Sequence, residues 1–214
     1  FNADIGGWDV SAVTDMSQMF EGATAFNADI GGWDVSAVTN MSQMFRDAPY
    51  FQGIGLNLWS VIAVTDMSQM FQGAIAFNAA IGGWDVSKVT DMSQMFQKAI
   101  AFNAAIDGWD VTAVTDMSQM FQGAIAFNAA IGGWDVSKVT DMSQMFQGAS
   151  AFNQEIRVWS VTSDTILTEM FLDATAMHNS YAGTDIGFGD TPDSSFFNQP
   201  FTPRTSEDFF LGRD

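Results

Sequence analysis

The stretch Trp8 to Ile30, W-D-V-S-A-V-T-D-M-S-Q-M-F-E-G-A-T-A-F-N-A-D-I, decides how the whole chain is read, because it keeps returning. Trp stands at 8, 33, 59, 84, 109, 134 and 159, a step of 25 residues with a single step of 26. Phe1, Phe26, Phe51, Phe77, Phe102, Phe127 and Phe152 keep that step, and so do Phe20, Phe45, Phe71, Phe96, Phe121, Phe146 and Phe171. The one extra residue falls in Gly53-Ile54-Gly55-Leu56-Asn57-Leu58. Twelve of the 14 Met form pairs, from Met16/Met19 to Met142/Met145; the seventh unit keeps Met170 and has Leu167 in the first place. Ala74 to Gln97 recurs unchanged at Ala124 to Gln147, the mark of a recent duplication. A fixed period with a constant apolar skeleton signals an array whose units bury their apolar faces only by stacking.

Within a unit, W-D-V-S alternates apolar and polar residues, and that period of two predicts a short strand. In T-D-M-S-Q-M-F-x-G-A, Met16, Met19, Phe20 and Ala23 follow one another at spacings of three and four, which predicts a short helix. Thr14 would cap its N-terminus, Asp15 would favour its dipole, and Gly22 would end it. Gly6-Gly7 permits a tight corner before the next Trp. The expected fold class is an α/β repeat: one short parallel strand and one short helix per 25-residue coil, with strands aligned at about 4.8 Å per coil.

Composition narrows the function. The chain has 214 residues, 47% of them hydrophobic and 15% charged, so it has the makings of a folded core. Asp and Glu number 25 against 7 Lys and Arg, a formal charge of −18. That excess argues against non-specific binding to nucleic acid or an anionic membrane surface, both of which need clustered cations. Cysteine is absent, which removes disulfides, thiolate metal sites and cysteine nucleophiles; the single histidine, His178, leaves nothing for a multi-histidine metal site. No apolar run reaches the roughly 20 residues of a membrane helix. No cofactor is expected and no enzyme.

The run from Trp8 to Ile30 resembles the repeat of the BspA-like leucine-rich-repeat surface proteins, first catalogued as a mycoplasma repeat of unknown function. The similarity extends from Phe1 to about Ala176 and recurs seven times. It implies a leucine-rich-repeat-like solenoid and contact with other macromolecules, with no catalytic residue to carry over. The chain starts inside a repeat at Phe1 and shows no lipoprotein signal, so a fragment or a processed form is expected.

Three segments are expected: a seven-repeat solenoid at 1–176, a degenerate eighth coil at 177–187 acting as a C-terminal cap, and a Pro/Phe-rich tail at 188–214. Met177 stands where Phe152 stood one period earlier, and Ala182-Gly183-Thr184-Asp185-Ile186 echoes G-G-W-D-V. The tail carries Phe196, Phe197, Phe201, Phe209 and Phe210, too apolar for a plain linker, and these are the candidate partner-binding residues. They either fold over the last coil or dock on a partner; docking is the preferred expectation.

The aligned Asp9, Asp34, Asp85, Asp110 and Asp135, interrupted by Ser60 and Ser160, are calcium candidates through their carboxylate oxygens, set against the favoured reading of a solvated acidic face. Asp15, Asp66, Asp91, Asp116 and Asp141 form a second column, with Asn40 in the same role. The Trp column reads as core and not as a sugar-stacking platform, because a stripe of seven exposed Trp invites aggregation. The Thr column at 14, 39, 65, 90, 115, 140 and 165 reads as caps and not as an ice-binding row. Asn2, Asn27, Asn78, Asn103, Asn128 and Asn153, with Gln52, read as an amide ladder.

The functional expectation is a non-enzymatic scaffold, a surface or extracellular module that binds proteins or glycans. The alternative is a structural subunit of an organellar or other large assembly, docked through its solenoid end and Phe-rich tail. Self-association is compatible with either.

Overall fold

The computed structural model describes residues 1–181 and 186–199. Successive 25-residue units lie on one another as a column of coils, but the coils are not built from a strand and a helix. Among the described residues the regular elements are one turn of 3-10 helix, Leu56–Leu58, and one α-helix, α1, Thr175–Tyr181. The α/β expectation is therefore corrected: no sheet forms among them, and every coil is a succession of tight turns.

The reason lies in where the amides of M-S-Q-M-F-x-G-A go. The N–H groups of Met16, Gln18, Phe20 and Gly22 donate to the carbonyls of Asn40, Ser42, Met44 and Arg46 in the next coil, at 2.7–3.0 Å. The N–H groups between them, on Met19, Glu21 and Ala23, close turns onto the carbonyls of Met16, Gln18 and Phe20. The same alternation recurs up to Met142, Gln144, Phe146 and Gly148, which donate to Ile166, Thr168, Met170 and Leu172. An α-helix would direct each N–H to the carbonyl four residues back. Here the Gln at the centre of the segment takes a positive φ of 57–60° from Gln18 to Gln144, which breaks a right-handed helix and turns alternate amides towards the neighbour. Spacing of three and four thus brings the Met and Phe inward without a helix.

The predicted strand fails for a related reason. Asp34 Oδ1 accepts the N–H of Ser36, while Trp33 N–H and Val38 N–H turn back to Ile30 and Val35. An Asx turn in the middle of W-D-V-S curls the chain where a strand would extend it. The apolar alternation survives, with Trp33 and Val35 buried and Asp34 and Ser36 exposed. Parallel pairing appears instead as single bridges linking Asp15, Asn40, Asp66, Asp91, Asp116, Asp141 and Ile166 in order.

The core is a set of aromatic files. Two Phe rings meet within each coil at 3.7–4.0 Å, as in Phe20–Phe26 and Phe121–Phe127. Phe20, Phe45, Phe71, Phe96, Phe121, Phe146 and Phe171 continue from coil to coil at 5.5–6.0 Å. Each well-placed aromatic pair adds about 0.5–1.5 kcal/mol beyond the area it buries. The Trp from 33 to 159 are buried, and each indole Nε1 donates to a carbonyl one coil back, from Ile5 for Trp33 to Ile131 for Trp159, at 2.8–3.2 Å. The buried polar tip of each of these six Trp is thereby satisfied. Gly31 and Gly55 absorb the extra residue of the third coil: a Cβ on Gly31 would lie 2.6 Å from Gly55 Cα, and Gly55 has a φ of 81°.

The column closes at its C-terminal end without a regular coil. Phe171 N–H donates to the Asp190 carbonyl at 2.9 Å and Glu169 N–H to Thr191 Oγ1 at 2.7 Å, so Asp190 and Thr191 supply the acceptors that a following coil supplies elsewhere. Asn198 and Gln199 donate their N–H groups to the carbonyls of Trp159 and Arg157. Of the eighth coil expected at 177–187, residues 177–181 complete α1, with Met177 and Tyr181 buried, and residues 182–185 lie outside the described set.

Candidate interaction surface

With the aromatic files inward, the polar columns fall into those that tie coils together and those that face solvent. Thr39 directs both its N–H, at 2.8 Å, and its Oγ1, at 3.1 Å, to the carbonyl of Thr14. Thr65, Thr90 and Thr115 do the same to the Thr one coil back. The Thr row is a rung between coils, not the helix cap the spacing suggested, since no helix follows it. The Asn row is a ladder of a different make: each side-chain oxygen accepts a backbone N–H of the next coil, as in Asn27 N–H to Asn2 Oδ1 at 2.8 Å and Asn153 N–H to Asn128 Oδ1 at 2.9 Å. It ends where α1 begins. The His178 N–H that would continue it turns to the Ala174 carbonyl, and the buried Asn153 Oδ1 has no hydrogen-bond partner among the described residues.

A third ladder is not visible in the sequence reading. Gln18 Nε2 donates to Gln43 Oε1 at 2.8 Å, and Gln119 to Gln144 at 2.7 Å. A parallel file runs Gln72 to Gln97, Gln97 to Gln122 and Gln122 to Gln147. Gln144 and Gln147 both reach Glu169, which closes the ladder with a carboxylate; an Arg46–Glu21 ion pair lies in the lower coils. The signal available was the repetition of Gln itself in M-S-Q-M-F, because identical amides one coil apart are spaced to bond each other.

The two acidic columns are the chemistry left facing outward. Asp9, Asp34, Asp85, Asp110 and Asp135 each accept from the residue two places on; the hydroxyls of Ser11, Ser87 and Thr112 sit at 2.6 Å. The side chains of Ser11, Ser36, Ser87, Thr112 and Ser137 first, and their backbone N–H groups second, hold the five carboxyls below their ordinary pKa. At Asp110 the hydrogen bonds from Thr112 outweigh the repulsion from Asp85 and Asp135. Asp15 is lowered by the Ser17 N–H, and Asn40 fills the same turn with a neutral oxygen on Ser42 N–H. The helix-dipole role expected for this second column gives way to an Asx turn. Among the described residues, no three His, Cys, Asp or Glu side chains converge as a metal cluster would require.

The apolar tail residues are divided. Phe196 and Phe197 are buried against the last coil; Phe196 meets Phe171 at 5.7 Å and Tyr181 at 5.4 Å, both edge to face. Phe201, Phe209 and Phe210 lie outside the described residues. His178 Nε2 lies 2.9 Å from the Phe171 carbonyl and 3.1 Å from Asp190 Oδ1, inside this cap.

No described helix is long and apolar enough to cross a membrane. One family model matches the chain, described as "Mycoplasma protein of unknown function, DUF285", over residues 1–103, 50–127 and 76–184. No curated protein and no solved structure matches.

Proposed function

We propose that this chain, which belongs to the Mycoplasma family of unknown function DUF285, is a non-enzymatic scaffold whose repeated outer surface holds another macromolecule. The observation that carries the reading is the outward row of Asp turns. Each carboxylate accepts a backbone N–H of its own turn, Asp9, Asp85 and Asp110 accept a hydroxyl as well, and the turn recurs along the column with a break at Ser60. Charges preset in position and repeated at the coil spacing suit an extended partner with its own spaced donors, a protein segment or a glycan. Like the BspA-like proteins its repeat resembles, it acts as a surface or extracellular module.

Binding of an immobilised chain to Lys/Arg-rich peptides and to a glycan panel tests this. The variant with Asp34, Asp85, Asp110 and Asp135 all changed to Asn keeps the turns and removes the charges. It is expected to lose binding at least tenfold while staying folded, with a melting temperature only slightly below the parent's. Binding unchanged by the four substitutions, or no binding by the parent to either class of probe, would refute the proposal.

A further inference from the structure

The carboxylates of the central coils are confined to one half of each repeat. None occurs in residues 67–84, 92–106 or 117–134, within a chain of net charge −18. Apart from Lys98 and the half-buried Ser68, Ser93 and Ser118, the surface of those stretches is apolar and amide. Ile75, Ile100 and Ile125 occupy the same place in three consecutive coils and are 43%, 40% and 49% exposed. Beside them the pattern Ala-Phe-Asn-Ala-Ala repeats without change, with the Asn and the last Ala exposed in each coil. Tyr50, one coil below, is 66% exposed. In the three segments 72–80, 97–105 and 122–130 the one charge is Lys98.

We propose that this Ile face pairs with the same face of a second copy of the chain. Two observations select that occupant. A polyanion approaches its own kind without repulsion only where carboxylates are missing, and here they are missing over three coils in succession. The Ile file also has the rise of the coil stack, and a second copy presents Ile at that same rise, so the side chains stay in register from Ile75 to Ile125. The neighbouring Ala positions leave room for them. A face three to five coils tall, about 15–25 Å at roughly 4.8 Å per coil, offers less than the roughly 800 Å² per partner of a stable dimer. The pairing is therefore weak and concentration-dependent. It does not use the Asp rows and stands independently of the partner proposed for them.

Sedimentation equilibrium of the full chain, from about 10 µM to about 1 mM, tests the pairing in low and high salt. The mean mass is expected to rise with concentration towards the dimer, more steeply in high salt, where the remaining charge is screened. The comparison is the triple variant Ile75→Thr, Ile100→Thr, Ile125→Thr, chosen because Thr24 and Thr175 hold the same position in other coils and a folded product is expected. It should remain monomeric across the range, with the circular dichroism and melting of the parent. A parent that is monomeric at every concentration in both salts overturns the proposal. So does association that the three substitutions leave undiminished, which would assign self-association elsewhere, the Phe-rich tail included.

Discussion

Trp84→Ala separates a column held by inward aromatics from one in which they are incidental. Trp84 is 3% exposed, with the rings of Trp59 at 6.4 Å and Phe71 at 6.3 Å, and its Nε1 donates to the Leu56 carbonyl at 2.8 Å. Truncating a large buried aromatic costs about 3–5 kcal/mol, and the upper part of that range applies where the site cannot collapse. Coils above and below hold this site open. Loss of the indole hydrogen bond adds no more than about 1 kcal/mol, because the Leu56 carbonyl keeps the Trp59 N–H at 3.1 Å. Trp8 supplies the internal control: it is the same residue in the same column but 53% exposed. Trp8→Ala should cost no more than about 1.5 kcal/mol. Urea unfolding, followed by circular dichroism and by fluorescence, measures the difference. The two signals must coincide, since stacked repeats are able to unfold piecewise. A Trp84→Ala loss within about 1 kcal/mol of Trp8→Ala would refute the inward-Trp account.

Gly148 has a φ of 67°, whereas a Cβ on Gly133 meets nothing within 4 Å and Gly133 has no positive φ. Gly148→Ala should therefore lower stability by about 1 kcal/mol, and Gly133→Ala should leave it level or slightly raised, both read from urea midpoints. The carboxyls of Asp9, Asp34, Asp85, Asp110 and Asp135 are lowered in the folded state, so their contribution is present above the ordinary carboxylate range and lost as pH falls through the lowered values. The urea midpoint should decline below about pH 4, and in Ser87→Ala the Asp85 carboxyl, followed by carbon NMR, should titrate closer to its ordinary value. Calcium at low millimolar concentration should raise the melting temperature no more than sodium at matched ionic strength, because the described acidic residues do not converge in threes. A calcium-specific rise would restore the Asp row as a cation site.

The inward columns were legible because size and period act together. A Trp, two Phe and a Val recurring in every unit of an acidic chain have nowhere to go but the axis of a stack. The helix was misread because inward spacing of three and four is also met by turns that send alternate amides to a neighbour. The warning lay in D-x-S, which recurs at Asp9/Ser11, Asp15/Ser17, Asp34/Ser36 and Asp193/Ser195 and is the pattern of an Asx turn. Gly22, Gly73, Gly123 and Gly148 gave the same warning, since positive φ is required there. The cap was harder to foresee. Asp190 and Thr191 stand in for a coil through one carbonyl and one hydroxyl, and no periodicity announces a single pair of acceptors.

The division of the amides also says where function is free to reside. A residue whose N–H or side chain forms a rung is fixed by two neighbours at once, and the chain's own seven units keep it nearly constant: Thr at each rung from Thr39 to Thr140, with Ile166 at the last, and Gln or Glu169 at the centre of every turn. The outer places do not bear that constraint. Thr24, Pro49, Ile75, Ile100, Ile125, Ser150 and Thr175 share one position, and Ala12, Ala37, Ala63, Lys88, Ala113, Lys138 and Ser163 another. Pro49 lacks an N–H altogether, so the stack does not depend on a donor there. A column of this kind changes partners by substitution at such places, without disturbing the aromatic files or the ladders that keep the coils together. The run of three Ile in the first of these positions, where other coils hold Thr, Ser and Pro, is therefore a local choice made on the surface and not a demand of the fold.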